Sequence, residues 1–104
     1  MANPLEDAVA AAAAILKGAW PVIARDMAGA IQRSQVRVVS IETLFLKGEI
    51  SQESRDVLLG IEKKTIVSVA MSFEIVAIET AQAAANAAVE TLLKGVTGIV
   101  GLGV

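Results

Sequence analysis

Seven glutamates, Glu42, Glu49, Glu53, Glu62, Glu74, Glu79 and Glu90, come nearest to a pattern with chemistry in it. Carboxylates facing one another across a helical bundle can hold a pair of metal ions. Such sites use Glu-x-x-His motifs, and this chain has no histidine. The same absence removes Ser-His-Asp triads, the usual zinc ligand sets and imidazole acid-base pairs. With no cysteine there is neither a thiolate nucleophile nor a disulfide framework. The glutamates are therefore expected to be solvated or ion-paired, with no catalytic residue, no metal and no cofactor. Glu74 and Glu79 stand out, because an ionisable group in an apolar helix needs a charged partner or a watery face.

The glycine run Gly95-x-x-Gly98-x-x-Gly101 is followed by neither a lysine nor a helix signal, so it does not form a phosphate-binding loop. No nucleophile is paired with a base, and no small-molecule substrate is expected. Nucleic acid is also an unsuitable partner. The net charge is −2 and the isoelectric point is near 5.0, whereas phosphate binding needs a basic face. The one arginine cluster, Arg25, Arg33 and Arg37, is diluted by Asp26 and Glu42.

These exclusions turn attention to the elements themselves. The 104 residues make a single all-α domain, and 55% of them are apolar while only 19% are charged. A water-soluble domain carries about 25% charged residues, so part of this surface is expected to face lipid or another subunit. Asn3 caps a helix that Pro4 opens, with Glu6 and Asp7 at the positive end of its dipole. That alanine-rich helix is expected over residues 4–19, with a bend near residues 17–20, leading into Trp20-Pro21, because the proline ring clashes with the carbonyl four residues back. No basic segment precedes the alanine run, so no secretory signal is read.

A second helix is expected over residues 21–47, with Met27, Ile31, Val38, Ile41 and Phe45 on a heptad-like, coiled-coil-type seam. Gly48 ends it, and residues 48–50 form a tight turn. Ser51 caps a long helix running over residues 51–94 without a proline. Helices joined so tightly pack as a long antiparallel hairpin. In that register Arg37 meets Glu62, Val38 meets Ile61, and Arg25 meets Glu74 in a buried ion pair. The alanine-rich arms also meet, with Ala81, Ala84 and Ala88 as a helix-packing interface. Thr65, Ser68, Ser72, Glu79, Gln82, Asn86 and Glu90 line up as one polar stripe. Residues 95–104 are an apolar, glycine-rich tail.

The most apolar stretch noted, residues 65–78, falls short of the roughly 20 residues a membrane span needs and contains Glu74. Trp20 suits either a membrane-interface anchor or core packing at the bend. The expected function is that of a non-enzymatic structural protein. Helical hairpins would assemble side by side as a homo-oligomer associated with a lipid membrane, as in a small virion-membrane or coat-type protein. The alternative is a cytoplasmic, obligate helical-bundle oligomer acting as scaffold, adaptor or filament subunit.

Overall fold

A computed structural model describes the backbone of residues 3–103 and the side chains of residues 3–98. Among these residues all regular structure is helical: α1 (Pro4–Leu16), α2 (Trp20–Leu46), α3 (Gln52–Met71) and α4 (Ile78–Gly103).

Local capping chemistry sets most of the helix ends. The Asn3 side chain accepts hydrogen bonds from the backbone N–H groups of Leu5 (3.0 Å) and Glu6 (3.4 Å), which opens α1. Gly48, at φ 74, ends the turn after α2 in the left-handed region where glycine is favoured. Ser51 Oγ accepts from the Ser54 N–H at 3.1 Å and starts α3.

The bend between α1 and α2 falls within the stretch, residues 17–20, where it is expected. A short 3-10 turn, Lys17–Ala19, replaces the end of the expected 4–19 helix, and Lys17 takes φ 50. Pro21 sits in the first turn of α2, where its missing N–H would have had no intrahelical partner. The proline therefore starts a helix here and does not kink one. The second helix accordingly runs over Trp20–Leu46 in place of residues 21–47.

The expected continuous helix over residues 51–94 is two helices. Ser72 Oγ donates to the Val69 carbonyl at 2.7 Å, and Glu74, at φ 58, donates its N–H to the Met71 carbonyl at 3.1 Å. Residues 72–77 reverse the chain, and α4 begins at Ile78. A non-glycine residue at positive φ costs about 1–2 kcal/mol. The reversal offsets this by returning α4 to the other three helices, which buries Ala81, Ala84, Ala85, Ala88, Val89, Leu92 and Val96 within one chain.

Helix α4 is the hub: it touches α1, α2 and α3, and its most extensive contact is with α1. Ala8 and Ala12 of α1 and Ala81, Ala84, Ala85 and Ala88 of α4 are fully buried. The alanine face is thus a packing surface inside the chain. Beyond it the core is built from Ile23, Met27, Ile31, Val38, Ile66 and Leu92, all fully buried. Each large aliphatic among them contributes about 1.5–3 kcal/mol by leaving water. Residues 95–103, expected as a tail, continue α4 as helix, and residue 104 lies outside the described residues.

Helices α1 and α4 come close at Pro4 and Gly95, where a β-carbon added to Gly95 would lie 2.7 Å from two ring carbons of Pro4. At Gly98, one turn on, an added β-carbon meets nothing within 4 Å. Gly98→Ala should therefore stabilise the protein by up to about 1 kcal/mol through helix propensity. Gly95→Ala should destabilise it by about 1–3 kcal/mol, because overpacking outweighs that gain. Thermal unfolding of the two variants checks this, and equal gains at both sites would separate α1 from α4.

Candidate functional site

Two glutamates are buried, and neither is among the two that the sequence singled out. Glu42, on α2, is 1% exposed. One of its oxygens accepts from Arg55 Nε of α3, and the other accepts from Thr97 Oγ1 of α4 at 2.9 Å. The Arg55 guanidinium also lies over the Phe45 ring, 4.8 Å from its centroid, a cation–π contact that shields the pair from solvent. Glu62, on α3, is 5% exposed. Its Oε1 accepts from Ser34 Oγ at 2.8 Å and from Arg37 Nε at 2.7 Å, both on α2.

The two carboxylates and two guanidiniums balance in charge. Among the described residues no buried side-chain nitrogen or oxygen lacks a hydrogen-bond partner. Each carboxylate is held by an arginine and a hydroxyl from other helices, so the arrangement ties α2, α3 and α4 together. The Glu42 cluster is the more deeply buried of the two, since the side chain of Arg55 is 19% exposed and that of Arg37 is 45% exposed.

The Arg37–Glu62 contact is the one expected from the antiparallel register. Val38 is buried as its seam position implies, but Ile61, expected opposite it, is 50% exposed. Glu62 takes the inward position that Ile61 was expected to fill, because Ser34 and Arg37 supply the hydrogen bonds that a buried carboxylate requires.

Arg25 and Glu74 do not pair. Both are exposed, Arg25 on α2 and Glu74 in the reversal between α3 and α4. Once residues 72–77 leave the helix, Glu74 no longer runs alongside α2. Glu79 is also exposed, in the first turn of α4, where a negative charge complements the helix dipole. Trp20 is half-buried and packs against the core at the bend.

The residues of the polar stripe are all exposed, but the reversal folds the stripe in two. Ser68 of α3 now faces Gln82 and Asn86 of α4 across an open depression of about 560 Å³, with Lys63 and Lys64 on its rim. Lys63 reaches Glu90 across this groove at 3.7 Å. The depression is open, and polar side chains stand along a partly apolar floor that includes Val67. Among the described residues no three acidic, histidine or cysteine side chains converge as a metal site would require.

Sequence reasoning missed the Glu42, Arg55 and Thr97 cluster. Its signal was faint: Glu42 directly follows the seam residue Ile41, and Arg55 falls across the turn in nearly the register that places Arg37 by Glu62. Comparison with protein-family models, curated proteins and solved structures finds no match to this chain.

Arg55→Ala would leave Glu42 buried without its cation, and breaking a buried pair costs about 3–5 kcal/mol. Arg25→Ala removes an exposed side chain and should cost less than about 0.5 kcal/mol. Urea denaturation of both variants tests the assignment. Similar small losses would mean that Glu42 is reached by water.

Proposed function

We propose that this chain is a non-enzymatic structural and assembly protein, a homo-oligomeric helical unit that associates with a lipid surface such as that of a virion or a granule. The observation that carries the reading is the helical stretch Pro4–Leu46. It contains an 18-residue window of mean hydropathy 1.4, of which 22% is buried inside the chain. Most of that window is therefore not enclosed by the chain's own core. The turn at Lys17–Ala19 divides the stretch into helices of 13 and 27 residues, so it suits lying along a bilayer surface.

Other features agree with this reading. Val22, Val36 and Val39 of α2 are exposed, at 64%, 68% and 38%. Trp20, half-buried beside the bend, has the mixed character that suits headgroup depth. Both buried glutamates are occupied by helix-to-helix contacts, which supports a structural role for the charged interior.

A second reading, a soluble helical-bundle oligomer acting as scaffold or adaptor in the cytoplasm, is favoured by the surface area. The chain exposes 5987 Å². A compact water-soluble monomer of 10.7 kDa exposes about 5,500 Å². The chain is thus nearly as compact as a water-soluble domain of its size.

Vesicle flotation separates the two. The lipid reading expects the protein to float with vesicles and stay bound at about 1 M salt, where a Debye length near 3 Å screens surface charge attraction. A protein that stays at the bottom of the gradient and is dispersed without detergent contradicts it and leaves the soluble oligomer.

A further inference from the structure

We propose that the outward face of α3 is the self-association surface, docking antiparallel on the same face of a second copy across a two-fold axis. This rests on the homo-oligomer reading and names the surface that serves it. The face is a stripe at helical spacing, Glu53, Val57, Gly60, Ile61 and Lys64, which the bundle leaves uncovered. Val57 is 59% exposed and Ile61 is 50% exposed, one turn apart. Glu53 lies one turn before Val57, and Lys64 lies about one turn after Ile61. Both charged residues are exposed, and among the described residues neither makes a salt bridge.

The order along the stripe, acid then two apolar residues then base, is self-complementary when reversed. Two copies placed antiparallel with Val57 of one beside Ile61 of the other bring Glu53 of each within a residue of Lys64 of the other. Both ends of the contact then carry opposite charges. A parallel pairing would set like charge against like. A lipid surface is the poorer occupant, because both ends of this short apolar patch are charged. A two-fold axis is also the commonest symmetry of soluble oligomers, and it requires a surface that complements itself.

Two further observations point to a helix as the occupant. Beside Val57 lies an open depression of about 430 Å³ lined by Ile50, Glu53, Ser54, Val57 and Leu58. Residues 53, 54 and 57 lie on α3, and Ile50 of the preceding turn closes the depression. In the antiparallel register Lys64 of the second copy comes opposite Ser54, so its aliphatic stem covers this depression with its ammonium beside Glu53. The other observation is Gly60, in the interior of α3. A glycine there weakens a helix relative to alanine. Yet a β-carbon added to Gly60 would meet nothing within 4 Å, so the chain's own packing does not require the glycine. The open space there leaves room for a second backbone passing close to α3.

The test is charge reversal at the two exposed ends, singly and together, read by sedimentation over a range of concentrations in buffer without lipid. Glu53→Lys or Lys64→Glu alone sets like charges opposite each other twice per dimer. Each should raise the dimer Kd on the order of tenfold or more. The double variant restores opposite charges only if the pairing is antiparallel between copies, and its Kd should return to within about threefold of the parent. Helix content by circular dichroism confirms that each variant is folded. As a second readout, the chain has no cysteine, so Val57→Cys and Ile61→Cys proteins can be mixed. The mixed disulfide should form faster than either self-disulfide. An oligomer whose Kd is the same in all variants, or a double variant weaker than both singles, overturns the α3 surface while leaving self-assembly intact. A parent chain that is monomeric at every concentration overturns the homo-oligomer reading itself.

Discussion

The Glu42 carboxylate is the constraint on which the rest of the structure depends. It sits on α2 with almost no exposure, and its hydrogen bonds come from Arg55 on α3 and Thr97 on α4. A buried carboxylate without its partners costs several kcal/mol, so the three helices are stable together only in one relative placement. That placement requires α4 to return beside α2 after α3 has already run antiparallel to it. An uninterrupted helix from Ser51 onward would carry Thr97 far from Glu42. The reversal at residues 72–77 and the positive φ of Glu74 follow from this requirement. One residue's backbone strain of about 1–2 kcal/mol is smaller than the loss it prevents.

The alanines are the apolar counterpart of the same arrangement. Each buries little surface, so a face of alanines contributes through the closeness of the helices it admits, and through the larger residues drawn in beside it. Pro4 against Gly95 shows how near α1 comes to α4. With α4 central, the small side chains lie where three helices converge, while Ile23, Met27, Ile31 and Leu92 fill the wider gaps. The apolar surface implied by the composition is thereby divided: part is consumed inside the chain, and part remains outward on α1, α2 and the face of α3.

Helix starts and stops were legible because they rest on neighbours in sequence. Asn3 before Pro4, Gly48 after the last turn of α2, and Ser51 before α3 act through bonds only a few residues long. The alanine faces were legible from helical spacing, and Arg37 with Glu62 from the register of a short turn. The reversal at residues 72–77 was not, since it contains neither proline nor glycine, and Ser72 and Glu74 are ordinary helix residues. Only the tertiary gain of bringing α4 back selects the break. The pairing of Arg25 with Glu74 was misread for that reason, as was the straight polar stripe. Glu42 was hidden because its two partners come from two other helices, one of them 55 residues on, and no local pattern marks a glutamate as buried.

The interior and the surface therefore have separate tasks. The paired charges inside set which helix lies beside which, and the apolar faces that carry Val22, Val36, Val57 and Ile61 stay uncovered. Both depend on α4 folding back along α3 within one molecule. Spin labels at Lys63→Cys and Glu90→Cys report this most directly, because the two native side chains approach to 3.7 Å. Measured by pulsed electron resonance with labelled chains diluted in unlabelled protein, the pair should give a single short distance. A distance near 40 Å, as along one continuous helix, would contradict the fold-back and the account built on it.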